Sequence, residues 1–241
     1  MKRSVKLVIA AVLVFVLALS GIGAKGAYAA EKGTTDAQKY NSNTYRYIVE
    51  DFSRRVDGSV KSVNVECYSM RLELTGYGKA GKKINKQLKS IITVDPDQVF
   101  GYAESDADEF PWEETTTYYD RVNSWVTFNN GKYLSLTVSR DTWFGGVENT
   151  FLTGYTFSLK TGKPVPITKA TGWSLEQIKK RISDNMLADG DEYDENSFKY
   201  LDGMKESDFR YYLKDANTCI VTFGPYELGY GGWSRTFEIE F

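Results

Sequence analysis

The sequence predicts an α+β fold in which antiparallel β-sheets are packed with a few short amphipathic helices. Three observations carry this expectation. Aromatic residues make up 15% of the 241 residues, with 17 Tyr, 13 Phe and 5 Trp, the bias of pleated, half-buried surfaces. Leu134, Leu136 and Val138 alternate with Ser135, Thr137 and Ser139, the period-two pattern of a strand with one buried face. Apolar stripes at helical spacing occur in only two stretches, so strands outnumber helices and each helix has one face to bury.

At the N-terminus, Lys2, Arg3 and Lys6 precede an apolar run from Leu7 to Leu19 and the small-residue pattern Ala27-Tyr28-Ala29, which predicts a signal peptide over 1–29 cleaved after Ala29. The apolar run is too short for the roughly 20 residues of a spanning helix. Residues 30–43 are polar and aperiodic, a flexible leader. Beyond 44, residues 63–74 are strand-like, and Ile84, Leu88, Ile91 and Ile92 recur among lysines as the stripe of a first helix. Residues 118–128 and 133–138 flank Asn129-Asn130-Gly131-Lys132, the strongest hairpin signal in the chain. A strand over 153–159 ends at Lys160-Thr161-Gly162-Lys163, and Pro164 and Pro166 confine the next segment to a sheet edge. Ser174 and Gln177 have capping-box spacing ahead of Leu175, Ile178, Ile182 and Met186, the second helix. Residues 209–213 and 218–223 form a second hairpin, and 234–241 a terminal strand.

Composition narrows the chemistry. The chain contains no histidine, so neither a Ser/His/Asp or Cys/His nucleophile pair nor a His-ligated zinc site is available. Formal net charge is −2 from 30 basic and 32 acidic residues; loss of 1–29 removes four basic residues and no acid, leaving −6. That balance disfavours nucleic acid and anionic membrane surfaces and favours a cationic partner. Cys67 and Cys219 are an even pair in a chain read as exported, and either form one disulfide or remain two buried thiols.

Two acidic clusters stand out. One is Glu104, Asp106, Asp108, Glu109, Glu113 and Glu114 around Phe110-Pro111-Trp112; the other is Asp189, Asp191, Glu192, Asp194 and Glu195. The second lacks the Gly and the closing Glu of a calcium loop, because Asp194 and Tyr200 stand at those positions. No metal site and no cofactor are expected. Both clusters read as solvated loops, with Glu104, Asp106, Asp108 and Glu109 as candidates for steering a basic partner. Aromatics beside glycines in Trp143-Phe144-Gly145-Gly146 and in 226–233 suit stacking on sugars or anchoring a protein. The candidate contacts are Trp143, Phe144, Glu148, Tyr226, Tyr230 and Trp233. Gly76-x-Gly78 lacks the remainder of a phosphate-cradling loop.

The string Gly154-Tyr155-Thr156-Phe157-Ser158-Leu159-Lys160-Thr161-Gly162-Lys163-Pro164-Val165-Pro166-Ile167, then a helix, then Ile220-Val221-Thr222-Phe223-Gly224-Pro225-Tyr226-Glu227-Leu228, resembles the extracellular domain of the lysozyme-sensing anti-sigma-V factor family. That unit also precedes the catalytic domain of some peptidoglycan deacetylases and stands alone in secreted proteins of unknown function. Residues 63–85 resemble the companion subdomain that usually precedes it. The resemblance divides the chain into an N-terminal subdomain over 44–160 and a C-terminal one over 161–241. It implies a secreted, non-catalytic binding domain acting on a cell-envelope or extracellular ligand, with a lysozyme-like basic protein first. A module binding peptidoglycan or another carbohydrate is the alternative, and a glycan-active enzyme using two carboxylates the third. Two departures fall in the loops: Gly145-Gly146-Val147-Glu148 stands where many members have Gly-Gly-Ala-His, and Leu228-Gly229-Tyr230-Gly231-Gly232 replaces an Ala-Pro-Tyr.

Overall fold

The structure is a computed structural model that describes residues 27–28, 44–109, 116–190, 193–229 and 231–241. The fold is α+β. Its elements are β1 (Ala27–Tyr28), β2 (Tyr45–Asp51), β3 (Arg54–Asp57), β4 (Ser62–Leu74), α1 (Gly78–Ile91), α2 (Pro96–Glu109), β5 (Thr117–Asn129), β6 (Tyr133–Trp143), β7 (Asn149–Ser158), α3 (Ile167–Thr171), α4 (Leu175–Ala188), α5 (Glu195–Gly203), β8 (Arg210–Leu213), β9 (Thr218–Phe223) and β10 (Arg235–Glu240). Apart from Ala27–Tyr28, which pair with Ile48 and Tyr47, the expected signal peptide and leader lie outside the described residues. Among those residues no helix is long and apolar enough to cross a membrane.

The larger sheet runs β1-β2-β4-β5-β6-β7, with β3 also on β4. The β4–β5 pair is parallel, so the sheet is mixed. The physical reason is α2, a helix the sequence reading did not anticipate: two successive helices carry the chain back to the end where β4 began, and β5 then runs beside it in the same direction. Where the β4–β5 ladder stops, the Ser124 hydroxyl accepts from Leu72 N–H and donates to Met70 carbonyl, both at 2.9 Å. The burial phase of β4 shifts at the same place, from Val63, Val65, Cys67 and Ser69 to Leu72 and Leu74. The apolar members of this set join Ile84 and Leu88 of α1 and Val99, Phe100, Ala103 and Ala107 of α2 in a first core.

A second sheet, β10-β9-β8, is antiparallel and forms its own core with Ile178, Ile182 and Met186 of α4 and with Phe128 and Tyr133 from the β5–β6 hairpin. The capping box of α4 is present: Gln177 N–H donates to Ser174 Oγ at 3.2 Å and Ser174 N–H to Gln177 Oε1 at 2.8 Å. The second sheet and its loops close the outer edge of β7. Thr150 N–H donates to Gly232 carbonyl (2.6 Å), Leu152 N–H to Ser234 Oγ (2.7 Å) and Gly154 N–H to Thr222 Oγ1 (3.1 Å).

The two cysteines are not joined. Cys67 lies in the first core and Cys219 in the second, both buried free thiols, because the terminal strands pair with each other instead of with the strand that carries Cys67. Burial pushes both thiols up, Cys219 to about 12 and Cys67 to about 11, the latter helped by the Asp120 charge. Asp120 is itself clasped by Arg140, Nε to Oδ1 at 2.8 Å and Nη2 to Oδ2 at 2.5 Å.

Candidate functional site: the β6–β7 turn and the β9–β10 connection

β6 and β7 remain paired to Thr142 and Asn149, leaving a short turn at 143–148. Gly145 has φ +90°, and a Cβ there would lie 2.6 Å from the Tyr118 hydroxyl and 3.2 Å from Asp106 Oδ2, so only glycine lets the turn fold down onto these oxygens. β6 is longer than the alternation suggested, and Trp143 is its last residue, paired across the sheet with Tyr119. Its Nε1–H donates to Gly146 carbonyl at 2.8 Å, and its ring meets Tyr118 edge-to-face at 5.2 Å and Tyr119 at 6.5 Å. Phe144 stacks on Tyr102 of α2 at 5.7 Å. Trp143 and Phe144 are therefore half-buried pieces of the first core's rim. Glu148 is exposed, and Tyr119 donates its hydroxyl to Glu148 Oε1 at 2.7 Å. Burial, and then this bond and its charge, push the Tyr119 phenol up to about 12.

The β9–β10 connection supplies the other aromatics. A Cβ on Gly232 would meet the Glu148 carbonyl at 2.2 Å, so glycine brings this loop against the β6–β7 turn and sets Trp233, 55% exposed, beside it. The Arg235 guanidinium lies 5.5 Å from the Trp233 ring. Tyr226 is 58% exposed and has φ +65°, a left-handed conformation that costs a non-glycine residue about 1 kcal/mol or more and persists where the surroundings impose it. Here Glu227 imposes it. Its carboxylate accepts from Gly224 N–H at 2.6 Å and from the Arg210 guanidinium. Burial acts to raise the Glu227 pKa, but these donors outweigh it and hold the carboxyl below its usual range. Tyr230 lies outside the described residues.

Of the first acidic cluster, Glu104, Asp106, Asp108 and Glu109 are helical where a loop was expected, in the last turns of α2, and Glu113 and Glu114 lie outside the described residues. Four acids at a helix C-terminus oppose the macrodipole, and the buried stripe of Val99, Phe100, Ala103 and Ala107 compensates. Their roles divide. Glu104 faces Arg54 at 3.4 Å, Asp108 accepts from Ser59 N–H at 2.6 Å, and Asp106 reaches the β6–β7 turn. In the second cluster Asp194 caps α5, accepting from Ser197 N–H at 2.9 Å, and Glu195 pairs with Lys199 at 2.7 Å; Asp191 and Glu192 lie outside the described residues.

Trp143, Phe144, Glu148, Trp233 and Asp106 thus converge around one turn, whereas Tyr226 stands on its own clamp. Sequence reasoning missed Tyr118, Tyr119, Arg210 and the anchoring role of Glu227. Of these only Glu227, inside the Pro-Tyr-Glu segment, carried a signal. Donors lower the pKa of several carboxylates: Ser62 hydroxyl on Asp57, Ser197 N–H on Asp194 and Lys205 N–H on Asp208. Among the described residues no three His, Cys, Asp or Glu side chains gather as metal ligands would.

No family model matches the chain, and no curated protein is similar to it at a significant level. Solved structures are similar in fold. One is a DUF3298 family member from Bacteroides fragilis NCTC 9343, 14% identical, with 83% of this chain and 91% of that one covered and a TM-score of 0.50. A DUF3298 family protein from Pseudomonas aeruginosa PAO1 is 10% identical over 80% of this chain and 89% of that one, with a TM-score of 0.42.

Proposed function

We propose that the chain is a secreted, non-catalytic binding domain that contacts a basic extracellular protein, as the resemblance to the anti-sigma-V extracellular domain implies. The observation that carries this reading is Tyr226, an aromatic side chain projected into solvent on a left-handed backbone that Glu227 and Arg210 clamp. Strained, exposed aromatics mark contact sites because the backbone cost is met before the partner arrives. The acidic end of α2 supports the choice of a cationic partner through the field it adds to the approach.

The test is retention of a cationic lysozyme and, separately, of insoluble peptidoglycan on the immobilised protein at low salt. Lysozyme retention that Tyr226→Ala weakens at least tenfold is the expected result, since aromatic anchors at interfaces contribute about 2 kcal/mol or more. Failure to retain lysozyme removes the basic-protein reading. Retention of peptidoglycan alone favours the carbohydrate alternative, for which the exposed Trp233 is the available platform.

A further inference from the structure

The larger sheet has two edges, and the chain treats them differently. The β9–β10 region closes β7. At the other end stands β2, a seven-residue strand whose outer side is paired, among the described residues, only where Ala27 meets Ile48 and Tyr28 meets Tyr47. Both contacts come from β1, inside the segment 1–29 whose removal is expected. Cleavage after Ala29 therefore strips this edge and leaves a row of unpaired N–H and C=O groups, which any chain with a matching edge can take up. The β2 sequence, Tyr45-Arg46-Tyr47-Ile48-Val49-Glu50-Asp51, carries neither of the residues, proline and lysine, that commonly blunt a free edge.

We infer that, once residues 1–29 are gone, β2 pairs antiparallel with β2 of a second copy of this chain, about a twofold axis at Ile48. The inference rests on the expected cleavage and is independent of any ligand. The strand is its own complement. Arg46, Ile48 and Glu50 share one face by the period of two, and Arg46 and Glu50 are exposed. With the axis at Ile48, Arg46 stands opposite Glu50 of the second copy on both sides of the axis, Ile48 meets its own equivalent, and Tyr47 faces Val49. Moving the axis one residue either way sets Arg46 or Glu50 against Ile48, so charge selects the register. Arg46 already donates Nε–H to Glu73 at 2.6 Å, and the five N–H donors of a guanidinium suffice for a second carboxylate. β1 shows the edge accepting an antiparallel strand at the same two central residues. The uncleaved chain thus covers its own dimer edge.

The test takes the full chain through export, reads its N-terminus by mass spectrometry and measures its mass in solution by sedimentation equilibrium across a dilution series. A cleaved chain in a monomer–dimer equilibrium is expected. Arg46→Glu and Glu50→Arg should each weaken the dimer roughly tenfold, since each turns two attractive pairs into two repulsive ones. The double swap should restore affinity to within about threefold of the wild type. Loss of the Arg46–Glu73 pair persists in the double swap, so recovery separates the interface from damage within one copy. Ile48→Cys supplies a second reading. Directly opposed residues of antiparallel strands have Cα atoms about 4.5–5.5 Å apart, within disulfide reach, and the native Cys67 and Cys219 are buried. Mild oxidation should therefore give a covalent dimer. A cleaved chain that stays monomeric at submillimolar concentration overturns the interface, and an uncleaved one overturns its release. A dimer that ignores the charge swaps, or an Ile48→Cys chain that does not cross-link, overturns the register.

Discussion

Replacing Arg140 with Met should damage the fold more than replacing Asp120 with Asn, although both changes break the same ion pair. The asymmetry comes from where the partners stand. The Asp120 side chain is 2% exposed and Arg140 37%, so a guanidinium that loses its carboxylate can turn to water, whereas a carboxylate that loses its guanidinium cannot. An uncompensated buried charge costs about 3–5 kcal/mol. Asp120→Asn retains an acceptor for Arg140 and should cost about 1–2 kcal/mol, the range of one weakened hydrogen bond to a charged group. For a chain of this size about 1 kcal/mol moves Tm by roughly 2–4 °C. Arg140→Met should therefore lower Tm by about 6–20 °C and Asp120→Asn by about 2–8 °C. Urea unfolding near neutral pH, followed by tryptophan fluorescence and circular dichroism together, measures both costs and tests two-state behaviour. Equal costs, or a larger cost for Asp120→Asn, would refute the argument that burial of the carboxylate decides the effect.

The same geometry sets three further outcomes. A thiol reagent should label neither cysteine in the folded protein and two per chain in urea, because Cys67 and Cys219 are buried and unpaired; fast native labelling, or none after unfolding, would contradict this. The stability contributed by Glu227, whose folded pKa lies below its ordinary 4.5, should be complete above that value and drain away as pH falls through the lowered one. Glu227→Gln should thus cost stability near pH 6 and little at strongly acid pH, read as the difference in urea midpoint from the wild type. If lysozyme binds, its association rate should fall as salt shortens the screening length to about 8 Å, and neutralising Glu104, Asp106, Asp108 and Glu109 together should slow association; a rate indifferent to both would leave the helix without a steering role.

Both hairpins, the capping box of α4 and the stripe of α1 were legible because each is encoded within a dozen residues: turn chemistry, period two, or a Ser and Gln three apart. α2 was not. Its buried face uses Ala103 and Ala107 alongside Val99 and Phe100, and alanines among acids carry little periodic signal. Missing α2 also hid the parallel β4–β5 pairing, since α1 alone, 14 residues and about 21 Å long, falls short of the 13-residue β4, about 43 Å, whose start the chain must regain. The site was half legible for a related reason. Glycines beside aromatics marked the two loops, but the approach of Gly232 to Glu148 and of Gly145 to Tyr118 joins residues far apart in sequence, and no local pattern records it. Arg210 and Tyr119 look like ordinary strand residues until their partners are seen.

The closure of the β7 edge sets an order of events for a chain made from its N-terminus. A strand edge offers unpaired N–H and C=O groups to any other chain that presents a complementary edge. Here the groups that occupy it, Thr222, Gly232 and Ser234, are synthesised only after three helices and β8 have followed β7. Until they arrive, β7 is open to a neighbouring molecule. A chain truncated before β9 should for this reason associate through β7 instead of remaining a smaller monomer, and a chaperone that delays folding until β9 and β10 emerge would suppress that outcome.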